Sequence, residues 1–322
     1  MKAIITRRKS ERAYTIIELL TVMSIVIVLI GLLVPALSVV KKYGRKVKQR
    51  AQFHAIDVAM ELFSSEFEGY PDSEELDQAS TPANYCGAMK LCEAMMGQDL
   101  LGFHPDSDFR ADCQDSAGKF LYDNPSPTSF NSLTATEKED NLMARRGPFL
   151  QRENANGYRL RNIYGTGNTT STFTNEELFV LCDVYANVIN KRNTGERGKT
   201  KIGMPILYYK ANPAGTTHLI SSPPGTTLPT AYYDYKDNYD LIKLGVPFNP
   251  NPVHKLGGSN ANTGSPVTVS DADAEAAFIN ITKDNMINIS SGAPFRSDSY
   301  ILISAGNDGL YGTRDDVFNF DK

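Results

Sequence analysis

The C-terminal stretch Gly306-Asn307-Asp308-Gly309-Leu310, with Asp315-Asp316 following, gathers hard oxygen donors around a glycine. Carboxylates and a sharp glycine turn are what calcium coordination requires. Asp308-Gly309 and Asp315 match the second half of a helix-loop-helix calcium loop, but Ser304 and Gly306 stand where the first half needs side-chain ligands. Spacing therefore leaves two readings open, a calcium loop or a turn capped by solvated aspartates, because Asp-Gly is common in turns. The second reactive position is Glu18, at the front of a run from Leu19 to Val40 that holds no charged side chain. A carboxylate in hydrocarbon costs roughly 2.5 to 3.5 kcal/mol and calls for a cation. No lysine or arginine lies within the run. A cut after Ala13 would supply one, the new α-amino group of Tyr14, one helical turn from Glu18.

Other chemistry is sparse. His54, His104, His218 and His254 are scattered, and the chain lacks His-Glu-x-x-His, Gly-x-Ser-x-Gly and a phosphate loop with its lysine. The expectation is a protein without catalytic function. Cys86, Cys92, Cys113 and Cys182 allow one or two disulfides in an exported domain, with three full pairings open. Cys86 and Cys92 would point to different faces of one helix, and Cys182, in Phe179-Val180-Leu181-Cys182, reads as a buried free thiol. No Cys-x-x-Cys pair or nearby histidine offers zinc its spacing.

The elements that position these residues begin with a membrane-length helix, since about 20 apolar residues span a bilayer. Its pattern continues past the run: Phe53, Ile56, Met60, Phe63 and Phe67 recur at spacings of three and four. Such a helix, from Tyr14 to Glu68, is about 80 Å long and ends at Gly69-Tyr70-Pro71. Pro35 and Gly44 are its weak points. Three parts follow: a leader 1–13, a transmembrane and amphipathic helix 14–68, and a globular head 69–322. Within the head, 83–101 and the segments after Thr134 and Ser270 read as helices, while 178–188, 204–210 and 300–304 read as strands. Polar loops at 165–175, 211–230 and 257–270 separate them.

Basic leader, small residue, aromatic residue and a glutamate four positions later, here Arg12-Ala13-Tyr14-Thr15-Ile16-Ile17-Glu18, resemble the processing signal of type IV pilins and type II secretion pseudopilins. Ala13 replaces the usual glycine, and Tyr14 the usual phenylalanine. The resemblance implies a pilin-like α+β fold, a long N-terminal helix on a C-terminal antiparallel sheet with helical and loop insertions. It implies cleavage between Ala13 and Tyr14 and methylation of Tyr14 by a prepilin peptidase. Assembly would run through Tyr14, Glu18 and the kinking Pro35, with copies of itself or other pseudopilins, on an inner-membrane assembly platform. Major pseudopilins end in a calcium loop of similar form. That likeness implies a structural calcium ion, with Asp308 and Asp316 as side-chain ligands and Asp315 and the carbonyl of Leu310 added.

The expected product is a single-pass protein of a bacterial inner membrane, its head in the periplasm or an extracellular filament, serving a type II secretion pseudopilus. A minor type IV pilin and a tethered, non-polymerising binding module are the alternatives. A secretory signal cut after Ala36 and a plain anchor also fit hydropathy. The net charge of −4 is unevenly spread: the leader carries +4, six basic residues occupy 41–50, and 51–322 is left at −13. An acidic head is a poor nucleic-acid binder. The basic collar suits anionic lipid or acidic faces of neighbouring subunits.

Overall fold

The computed structural model describes residues 14–77, 83–123, 133–165, 167, 172–173, 175–185, 188–190, 200–218, 231–247, 253–259, 268–284 and 293–321. The leader through Ala13 and much of the expected loops at 211–230 and 257–270 lie outside them. The chain is α+β, with a long N-terminal helix and antiparallel sheets. It forms two compact units, 1–45 and 46–322. The second unit therefore includes the last turns of the long helix, where sequence alone put the boundary at residue 68.

Helix α1 (Ile16–Phe67) runs through Pro35, where Ser38 Oγ donates to the Pro35 carbonyl at 2.7 Å. It stops at Phe67, one residue short of the expected end at Glu68. Glu68 takes the left-handed conformation, with φ of 57°, that Gly69 was expected to supply. In the head, α2 (Gly87–Met96) is shorter than the expected 83–101, because Gly97 turns left-handed at φ 78° and ends it. A side chain at Gly97 would collide with the main chain of Gly102. Helix α3 (Ala135–Ala144) starts on the Thr134–Glu137 capping box, and α4 (Asp271–Thr282) on Ser270, as their sequences specify.

The described residues hold more strands than the three expected; Tyr300–Ser304 has its expected bounds, while the other two segments are shorter. β1 (Gly157–Arg159) pairs with β2 (Phe179–Leu181), so the 178–188 segment is not one strand. The central sheet holds β3 (Leu207–Lys210), β4 (Tyr300–Ser304) and β5 (Val317–Phe318), antiparallel with β4 in the middle. β4 is buried along its whole length because the sheet is covered on both faces. Leu207, Tyr209, Ile301 and Ile303 share one cluster with Phe278 and Ile281 of α4. Tyr208, Tyr300 and Leu302 share the other with Phe53, Ile56, Met60 and Phe63 of α1. Alternation along the strands thus sorts side chains between two helices on opposite faces. Each fully buried apolar side chain contributes about 1.5 to 3 kcal/mol.

All ten residues of α2 are buried, and it belongs to both clusters: Ala88 and Met89 to one, Leu91, Cys92 and Met95 to the other. The four cysteines are free and buried. Cys86 and Cys182 lie in the first cluster, Cys92 in the second, and Cys113 in a small third one with Leu121 and Tyr122. The disulfides that the sequence allowed are therefore not formed. Burial pushes the Cys86 thiol up to about 12 and raises the other three as well, so the thiolate that would start disulfide exchange is suppressed.

Candidate assembly interface

Glu18 lies in the first turn of α1, and Thr15 precedes the helix as its N-cap. Thr15 donates its main-chain N–H and its hydroxyl to Glu18 Oε2, each at 2.8 Å, and the Glu18 N–H donates to Thr15 Oγ1 at 3.3 Å. This is a capping box. Thr-x-x-Glu was its signal in the sequence, overlooked because Glu18 had a different role in view. Oε1 has no partner among the described residues. Tyr14 is 88 % exposed, and every residue from Tyr14 to Lys48 is exposed, including Leu19 to Val40 and Pro35. The helix is long and apolar enough to cross a membrane. Ala13 lies outside the described residues.

The last turns of α1, from Lys46 onward, have two apolar faces. The inner one, Phe53, Ile56, Met60 and Phe63, is the stripe the sequence showed. Polar groups fix its docking: Gln52 Nε2 donates to the carbonyls of Cys182 (2.9 Å) and Asn154 (3.1 Å), and Val184 N–H donates to Gln49 Oε1 at 2.9 Å. The outer face carries Val47, Ala51, Val58 and Leu62 at spacings of four, seven and four, with Val47, Val58 and Leu62 about half exposed. Sequence reading missed this ridge because small residues and His54 interrupt it.

No protein-family model, curated protein or solved structure matches this chain. What the chain does has to be read from its own geometry.

In the C-terminal loop the aspartates turn inward onto their own main chain. Leu310 N–H donates to Asp308 Oδ1 (2.9 Å), Asp308 N–H to Asp315 Oδ2 (2.9 Å) and Gly312 N–H to Asp316 Oδ2 (2.7 Å), while Thr313 Oγ1 donates to Asp315 Oδ1 (2.7 Å). The Leu310 carbonyl accepts from Thr313 Oγ1 at 3.3 Å. Burial pushes Asp316 up to about 8, with Asp308 and Asp315 adding to the shift. Burial and the neighbouring Asp315 raise Asp308; Asp315 is held low by hydrogen bonds from Thr313 and Asp308, although burial opposes them. Among the described residues no three His, Cys, Asp or Glu side chains group as metal ligands. As placed, oxygens that calcium would need also cap amide and hydroxyl donors of their own loop. The calcium expectation gains no support from this loop, and nothing below is routed through it.

Neither do the histidines assemble a site. His54 is exposed on α1, and His104 accepts from Asp106 N–H at its Nδ1, 3.2 Å away. His254 is buried, accepts from Tyr311 N–H at 3.2 Å, and is held neutral by burial, which lowers it to about 4. The largest unforeseen polar group is internal. Glu93 on α2 accepts from Tyr85 Oη (2.6 Å), Gln98 Nε2 (2.9 Å) and Ser107 Oγ, and it ties the 97–113 loop to the core. Lys90, equally buried, donates to Asp72 (3.1 Å) and to the Leu76 carbonyl (3.2 Å). Both are satisfied within the chain, as structural groups are.

Proposed function

We propose that this chain is a structural, non-enzymatic filament subunit of the pseudopilin type. It would be cut after Ala13, methylated on Tyr14 by a prepilin peptidase, and drawn from a bacterial inner membrane into a secretion pseudopilus. One observation carries the reading: an apolar helix with no side chain buried between Ile16 and Val40 begins on a carboxylate, Glu18, one oxygen of which has no partner among the described residues. An anchor alone needs the apolar length but has no use for the carboxylate. In a filament the same surface is buried against other copies, and a neighbour's Tyr14 amine meets Oε1 of Glu18. Burial of apolar helices gives cohesion, and the charge pair fixes register.

Mass spectrometry of the N-terminal peptide from membranes of the native host tests this. The expected chain starts at methylated Tyr14. A start at Leu37 would mean a secreted head, and an intact leader would mean a plain anchor; either overturns the proposal.

A further inference from the structure

Among the described residues beyond position 50, the large apolar side chains that are exposed are Val58 and Leu62 on α1, Leu101, and Leu142 and Met143 on α3. They belong to elements tied together at one end of the head. Arg146 Nε pairs with Glu66 Oε1 at 3.0 Å, joining the end of α3 to the last turn of α1. Phe103 and Arg146 exchange main-chain hydrogen bonds of 2.8 Å, and Phe63 and Phe67 pack edge-on against Phe103. Arg145 holds Asp99 through two 2.6 Å contacts, which fixes the turn carrying Leu101. These ties hold the elements that carry the exposed side chains in fixed relation to one another. Glu61, Glu66, Glu68, Glu139 and Asp140 are exposed beside these side chains, against Arg146, already held by Glu66, and Lys138.

The chain also carries the complement. Between Lys41 and Arg50 six cations alternate with Tyr43 and Val47, which are 70 % and 50 % exposed. Lys41, Lys42, Lys46 and Lys48 enter no hydrogen bond or ion pair among the described residues. We propose that the acid-rimmed apolar patch of one copy takes the basic neck, residues 41–50, of a second copy, with Val47 and Tyr43 against Leu62 and Met143. The proposal rests on the filament reading, in which the copies are parallel. Val47 and Leu62 are fifteen residues apart, so two copies in this contact are offset by about 22 Å along α1. Opposite charges at a rim set register and exclude wrong neighbours.

Cysteine cross-linking in the native host tests the contact. The native thiols are buried, so Val47→Cys with Leu62→Cys should give a ladder of disulfide-linked multimers, and neither single variant should. Lys46→Glu with Lys48→Glu should cut sedimentable filament at least about tenfold, and adding Glu139→Lys with Asp140→Lys should restore it. Filaments that form without a 47–62 ladder, or that ignore the charge reversal, overturn this contact and leave the filament reading standing. A wild-type chain that is processed but never sediments as filament overturns both. If the double-cysteine chain fails to accumulate, the charge-reversal and rescue pair decides alone.

Discussion

Two demands meet at Glu18. Its carboxylate caps its own helix through Thr15, and in the proposed filament it also receives a neighbour's amine. The bonding separates them: the cap uses Oε2, and Oε1 is left over. Glu18→Gln keeps an acceptor oxygen for the cap but removes the charge, whereas Glu18→Ala removes both. Both variants should be cut normally after Ala13, and both should lose filaments, as read by N-terminal mass spectrometry and sedimentation. Normal filaments from the glutamine variant would show that helix capping was the residue's whole contribution. Glu18 was legible as reactive because a charge in an apolar run is conspicuous. Glu93 and Lys90 were not, because α2 places charged residues among methionines and cysteines at spacings that look like a solvent face. Only the tertiary partners, Tyr85, Gln98 and Ser107 for one and Asp72 for the other, make their burial tolerable.

At the scale of elements, the head half of α1 carries its own internal control. Met60 is fully buried against the sheet, while Val58, two residues away, faces outward and is about half exposed. Met60→Ala should destabilise the head by about 2 to 5 kcal/mol in urea unfolding. Val58→Ala should stay within about 0.5 kcal/mol. Equal effects would mean that the helix does not dock on the face described. The inner stripe, the Thr134 and Ser270 caps and the β4 strand were readable from spacing and capping residues. Helix and strand ends were less so. α2 stops at Gly97 because the chain there must pass close to Gly102, and 178–188 breaks because Gln49 and Gln52 hold the main chain of 182–184, both long-range causes. The C-terminal loop showed the opposite problem, since its aspartates have the composition of a metal loop and the hydrogen bonding of a capped turn.

For the whole molecule, buried acids make stability depend on pH. Burial raises Glu75 and Asp183 to about 7 and Asp316 to about 8. The folded chain keeps protons there that the unfolded chain releases near pH 4, so these groups lower stability as pH rises from about 4 to 8. His254, lowered to about 4, acts in the other direction, but only below about pH 6.5. Above that the acids dominate, the buried thiols act in the same direction toward pH 8.5, and Tm in detergent should fall between pH 6.5 and 8.5. Asp183→Asn should flatten part of the slope: its amide can donate to Ser304 Oγ while its oxygen accepts from Tyr185 and Met204 N–H, as Asp183 does now. A flat profile in the unmodified chain would contradict these shifts. The four shielded thiols carry a practical consequence for watching the protein at work. A chain whose own sulfur is out of reach gives any single cysteine placed on the surface sole claim to a maleimide dye, so the proposed assembly can be followed by fluorescence without first stripping the native residues.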